Sequence, residues 1–421
     1  MLHGGLESDL PAPLSDLPPP PSRAGGAARP YADIVIAAHD ARSPVAASAD
    51  YRLTGDFDAD TAIVAAALAE LFDGGRILLT DGHFLPVWHL GVQHRLEGMG
   101  DRTVLLAGVE CDGTLSSVAN VRFEQGAGIV VRADDCAISS CDFAQVYGDF
   151  AIEAMPSTRA TSVIGCTFRN AAVVDLKGYD AMIRNCRFLD GSGVRAHDQG
   201  VTALLMDACT FEGQYQAGSL PSGVLQYAID YYGPLIVVTR CSFDVQAAGP
   251  TTDLGPNGIS IDGGVVVFRA NVVRATGRFK FAAIISADTG SVTGNVFTGT
   301  GLDEQTGLVF FNMDAGTGGV IAHNLFRAGM RANPLDTSRV APVNIDAFDP
   351  GKGGVLFRGN VVRHDPLTPA AWRYGVWCGG GPPSRSYVVH NDLRNFAPTP
   401  GWTDAPVFGA VLTSLTGNVL T

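Results

Sequence analysis

A three-residue phrase recurs along most of this chain. It reads Cys-x-Phe at Cys141–Phe143, Cys166–Phe168, Cys186–Phe188, Cys209–Phe211 and Cys241–Phe243. Asparagine then replaces cysteine at Asn271, Asn295, Asn324, Asn360, Asn391 and Asn418, and Val121-Arg122-Phe123 is an earlier copy. These twelve anchors stand 20 to 36 residues apart, and the residues three before and two after each are apolar at all twelve. A fixed short phrase separated by variable loops is the pattern of a solenoid, in which each unit buries its apolar face only against its neighbours. The phrase is too short for a helical repeat and is rich in Val, Ile, Phe and Thr, so it reads as strand. Period-two alternation then turns both the Cys/Asn and the Phe inward. The expected fold is all-β: a right-handed parallel β-helix of about 12 coils, right-handed by the general rule for parallel crossovers. At ~4.8 Å per stacked strand, eleven steps make a rod about 50 Å long.

The cysteines follow from that architecture. Cys141, Cys166, Cys186, Cys209 and Cys241 fall in one internal column and read as small buried hydrophobes in reduced form. No CxxC occurs and no histidine alternates with them at ligand spacing, so a metal column is disfavoured. Asparagine continues the ladder through side-chain hydrogen bonds between coils. Gly or Asn is expected at the intercoil corners, where left-handed backbone is needed.

Composition narrows the function classes. Of 421 residues, 46% are hydrophobic, enough for a large core. The net charge of -13 argues against a generic nucleic-acid binder or an anionic membrane surface, both of which need clustered Lys and Arg. No apolar run approaches the length of a membrane span. The start, Met1-Leu2-His3-Gly4-Gly5, lacks the basic and apolar regions of a secretory signal. Lysines are few beside arginines, which reads as the codon bias of a GC-rich genome.

Three regions are expected. Residues 1–31 are Pro, Gly, Ala and Ser rich and read as an extended arm. Residues 32–100 read as a capping region, with a strand near Asp33–Ala38, a helix over about 60–72 with Asp60 near its N-cap, and a strand after Gly74-Gly75. Such a cap would cover the open end of residues 101–421, the β-helix. The segment Ile34 to Ala38, then Ala49-Asp50-Tyr51, Asp58 to Leu71 and Gly74 to Leu79, resembles the entry module of pectate-lyase-like β-helix proteins. It is most similar to minor tail or tail-spike proteins of bacteriophages of GC-rich Gram-positive hosts, and Gly294-Asn295-Val296-Phe297 is similar to coils of the same superfamily. The resemblance implies a virion protein made in the bacterial cytoplasm, forming a homotrimer, bound to other tail proteins through residues 1–31 and presenting its lateral face to a host-surface polysaccharide. The chain ends directly after its last anchor, and an uncapped coil there also invites self-association.

Chemistry is less legible. GxxxxGK[ST], HExxH and GxSxG are absent, as are the Gly-His-Gly and Arg-Ile-Lys phrases of polygalacturonases and the Arg-x-Pro-x-x-Arg phrase of pectate lyases. A second strand in several coils reads apolar-x-apolar-Asp and ends at Asp230, Asp262 and Asp346, with looser versions at Asp288 and Asp314 and, earlier, Glu153 and Asp175. Stacked carboxylates about 5 Å apart would suit retaining glycoside hydrolysis, with Asp230 and Asp262 as the catalytic candidates. The runner-up function is therefore a polysaccharide lyase or glycoside hydrolase. Asp288, Asp314, Asp346, Tyr231 and Tyr232 are candidate substrate contacts, the two tyrosines being equally candidates for the core or a subunit contact. No cofactor is expected, although such a column also suits Ca²⁺. The plainer alternative is that Asp simply ends strands at turns. Trp372, Tyr374, Trp377 and Trp402 suggest a glycan platform, a subunit contact or ordinary packing, and His197, His323, His364 and His390 carry no expected ligand role.

Overall fold

The computed structural model of the protein describes residues 32–144, 150–197, 203–215, 227–247, 257–277, 279, 281–302, 307–312, 318–330, 341–346, 354–364, 375–379, 387–394, 407–408 and 417–419. Asp314, Trp372, Tyr374, Trp402 and the expected arm at 1–31 lie outside them. Every pairing between the named strands is parallel, and strands inside the stack pair with their equivalents one coil before and one coil after. The register runs Val109, Ile129, Ile152 on a first face, Val118, Ile138, Val163 on a second and Leu105, Phe123, Phe143 on a third. The chain is thus a parallel β-helix, with a sheet of 12 strands on its third face. The first and second faces merge into one sheet because Ile229–Thr239, Asn257–Arg269 and Phe281–Thr293 each run unbroken from one face to the next.

Stacking of like on like fills the interior. Phe123, Phe143, Phe168, Phe188, Phe211 and Phe243 form a continuous pile with ring centroids 4.4 to 4.9 Å apart and rings within 11° of parallel. Each such contact adds about 0.5–1.5 kcal/mol beyond area burial. At the next coil the column holds Val273, paired with Phe243. Phe268 from the second face fills the missing volume, 6.3 Å from Phe243 and 5.9 Å from Phe297. Phe357 does the same where Val362 follows Phe326.

The anchor column is a polar and thiol ladder. All eight cysteines are buried and free. The five in the anchor column donate to backbone carbonyls, as Cys186 Sγ does to Arg184 O at 3.3 Å. The hydrogen bond with Cys166, reinforced by burial, pushes the Cys186 thiol up to about 12. Asparagine extends the column as inferred. The Asn324 carboxamide oxygen accepts the backbone and side-chain N–H of Asn295, and its Nδ2 donates to Val292 O and to Asn360 Oδ1. The residue before every anchor has positive φ, from Asn120 at 55° to Gly417 at 75°. Glycine or asparagine was expected there, yet Ser140, Ala208, Arg240, Ala270, His323 and His390 also hold this conformation. Pairing on both sides of the corner imposes it against local preference.

The N-terminal helix runs Phe57–Glu70, a few residues earlier than expected. Its N-cap is Asp56, whose Oδ1 accepts the Ala59 N–H at 2.9 Å. Asp60 is instead buried inside the first turn, where its carboxylate accepts Thr54 N and Gly55 N and fixes the chain entering the helix. Residue 101 marks no break in pairing: Gly75–Leu79 already stacks on His94–Glu97, and that strand on Ser117–Ala119. Among the described residues no helix is long and apolar enough to cross a membrane. Phe188→Ala, at the centre of the ring pile, is expected to cost about 3–5 kcal/mol, measured as a lowered denaturation midpoint. Asn324→Leu should cost a comparable amount, because it removes the buried hydrogen-bond partner of groups on both neighbouring coils.

Candidate functional site

Side chains that alternate outward along the first face form two neighbouring columns. One runs Glu110, Val130, Glu153, Asp175, Arg195, Asp230, Ser260. The other lies two residues further along each strand and includes Lys177, His197, Tyr232 and Asp262. Asp175, Lys177, Arg195, His197 and Asp230 line a cleft of about 360 Å³ between these columns.

The floor of the cleft is an ion-pair network. Arg195 grips buried Asp175 with both arms, Nε to Oδ1 at 2.9 Å and Nη2 to Oδ2 at 2.8 Å. Lys177 Nζ donates to Glu153 Oε1 at 2.6 Å and lies 3.3 Å from Asp175 Oδ2. The hydrogen bond it donates to Glu153 holds the Lys177 ammonium above its ordinary range. Both cations also sit against the Phe150 ring, at 5.4 Å for Lys177 and 5.0 Å for Arg195. Two carboxylates and two cations thus neutralise each other.

Asp230 and His197 form the working edge. His197 Nε2 stands 3.2 Å from Asp230 Oδ1, with the imidazole largely exposed and the carboxylate mostly covered. Burial raises the Asp230 carboxyl above its ordinary range, and the charges of His197 and Arg195 offset part of that rise. The pair can hold and pass a proton at a solvent-facing surface. Tyr232 is 48% exposed, with its ring 6.3 Å from the His197 ring, and offers an apolar shelf beside the pair.

The expected Asp230–Asp262 stack does not form. Asp230 pairs in register with Ser260, while Asp262 pairs with Tyr232. The two aspartates lie on adjacent coils but two residues out of step, so their Cα atoms are roughly 8 Å apart rather than ~5 Å. Asp262 is exposed; burial, and then the charge of Asp288, raise its carboxyl, with His197 opposing. Asp346 shares the Asp262 column three coils on, but it is buried. Tyr231 faces the core rather than a ligand: it is 1% exposed, and its hydroxyl donates to Leu235 O at 2.7 Å. Trp377 is buried beside Ala341 and forms no open platform. The sequence reading passed over His197, Lys177 and Arg195. Counting back from the anchors locates the register, since Asp230 and Ser260 each stand eleven residues before theirs.

A second cluster on the same face brings His89, Glu110 and Asp112 within 4.8 Å of one another. It offers a donor set for a divalent cation, but Arg132 already bonds both Glu110 and Asp112.

No protein-family model matches this chain, and no curated protein matches it. Among solved structures it is similar to the A-modules of the Azotobacter vinelandii mannuronan C-5 epimerases AlgE6 and AlgE4. Their TM-scores are 0.41 and 0.40 at 12% and 13% identity, covering 86% and 87% of this chain and 94% and 96% of theirs. It is also similar to a tailspike protein of E. coli bacteriophage HK620, with a TM-score of 0.40 at 12% identity, covering 86% of this chain and 76% of that one.

The Asp230 shift has a testable sign. A carboxyl whose folded pKa is raised binds its proton more tightly when folded, so it lowers stability as pH climbs above the unfolded value. Asp230→Asn is therefore expected to raise the thermal midpoint at neutral pH, with the gain vanishing as pH falls through the carboxylate range.

Proposed function

We propose that the first face of this β-helix binds a polysaccharide, and that the protein serves as a bacteriophage tail component presenting that face to a host-surface glycan. One observation carries the binding reading: the cleft of about 360 Å³ lined by Asp175, Lys177, Arg195, His197 and Asp230, bordered by exposed Tyr232. A shallow groove along a rod suits an extended chain of sugars. Asp230 and His197 supply hydrogen-bond partners for hydroxyls, and Tyr232 supplies a flat apolar surface for a ring face. The ion-paired floor holds these groups rigidly in place. The tail role rests on the resemblance of residues 34–79 to phage β-helix entry modules. In this reading residues 1–31 engage other tail proteins.

The second reading is a depolymerase, favoured by the proton-tight Asp230 beside His197. In a β-elimination His197 would take the proton on the carbon beside the sugar's carboxylate, that electron pair would form the C=C bond as the glycosidic C–O bond breaks, and Asp230 would protonate the departing oxygen; in hydrolysis His197 would take a proton from the water that attacks the anomeric carbon. Neither route needs a covalent intermediate, and Asp262 does not stand in register with Asp230 to form one.

Both readings are tested by incubating purified protein with bacterial cell-surface polysaccharides while following bound protein, new reducing ends and absorbance from unsaturated products. Binding is expected, with Tyr232→Ala weakening it about tenfold, a loss of ~1.4 kcal/mol. Products that disappear in Asp230→Asn and His197→Ala would make the protein a depolymerase. Absence of binding to every fraction would overturn the glycan reading.

A further inference from the structure

The outward side chains of the second face change character along the rod. In the early coils one column reads Arg95, Ser117, Ala137, Ser162, as a solvated face should. It then becomes Met182, Leu205, Val237 and Val267. After Ser291 it continues as Val320, Leu356 and Tyr387. Seven of these eight successive outward positions are apolar. All eight remain at least partly open to solvent, with Leu205 at 40% and Tyr387 at 51%. Beside it Leu235 pairs with Val265, itself 42% exposed, and widens the strip in the middle coils. On the other side stand Arg184, Arg269 and Arg358, all exposed.

Nothing in folding the single chain requires this strip, because alternation already sends the core residues Met206, Val238 and Phe268 to the other side of the sheet. An apolar centre flanked by a largely polar column, here Arg184, Thr239, Arg269, Thr293 and Arg358, is the anatomy of a subunit interface. Seven steps at ~4.8 Å make it roughly 34 Å long, and three columns make it roughly 20 Å wide. That is roughly 700 Å² per partner, close to the ~800 Å² of a stable protein–protein contact.

We propose that the second face, from Met182 to Tyr387, is where copies of this chain pack rod against rod. A second copy is the occupant that fits, because the strip stays in one register column for as long as the coils that carry it and is apolar at all but one of its positions, Ser291. A like strip on a like rod matches it in length and chemistry. The proposal places self-association on the lateral wall rather than at the open end of the coil. It leaves the first-face cleft open to ligand, and it does not depend on what that cleft binds.

The test uses the full chain. Sedimentation equilibrium between about 1 and 100 μM should show a closed oligomer. The double variant Val237→Lys, Val267→Lys should sediment as a monomer. It should keep its far-ultraviolet spectrum and the native protection of its eight buried thiols from a thiol reagent, which shows that the coils still stack. Ser117→Lys and Ser162→Lys, in the same column outside the strip, should leave the oligomer intact. A wild-type monomer across the whole range would overturn the proposal, as would an oligomer unchanged in the double variant. If the wild type is monomeric and removal of residues 1–31 increases binding of an apolar dye, which Val237→Lys, Val267→Lys then abolishes, the chain's own arm is the occupant and the proposal also fails.

Discussion

Everything in this molecule depends on parallel register between successive coils. Each strand meets its equivalent one turn earlier, so every inward position becomes a column and every column stacks like on like. Phenylalanine meets phenylalanine, thiol meets thiol and carboxamide meets carboxamide. The stack tolerates substitution only where volume or hydrogen bonding is restored from elsewhere. Phe268 and Phe357 illustrate the first case, each reaching in from the second face where the third-face column narrows to valine. The exchange of cysteine for asparagine illustrates the second. A thiol is satisfied by a carbonyl in its own strand or the coil before, whereas each carboxamide bridges to the next and binds three coils together.

The same register builds the outer faces. Outward residues also form columns, and their chemistry varies freely because solvent imposes no volume constraint. The first face uses this freedom to assemble Glu153, Asp175, Lys177 and Arg195 into a neutral platform on which Asp230 and His197 stand. Four coils contribute, and no coil alone holds the constellation. The second face gathers apolar side chains by the same device.

The fold was legible because its signal is repeated twelve times and inward positions obey strict chemistry. The Cys and Asn ladders and the inward phenylalanines follow from alternation alone. The candidate site was legible only in part. Asp230 was placed on the correct face, but Asp262 was set in its column by matching apolar-x-apolar-Asp locally. Loops of unequal length separate the faces, so a local match does not fix which residues become neighbours. Tyr231 was open between ligand and core, and alternation decides it: two residues after inward Ile229 it also faces inward, where its hydroxyl bonds the Leu235 peptide. His197 has no local motif at all; it becomes notable only when the following coil brings Asp230 against it.

The positive-φ residues before the anchors have a kinetic consequence. Eight of the twelve, from Asn120 to His390, are not glycine, and each resists its left-handed conformation by about 1–2 kcal/mol until neighbours on both sides hold it. An isolated coil therefore has little reason to close. Several must form together before the next gains from joining, and thereafter growth proceeds coil by coil. Read backwards, the same barrier protects the finished rod: coils in the middle cannot open singly, and unravelling must begin at an end. The working lifetime of such a rod is therefore set by that slow loss of structure more than by equilibrium stability.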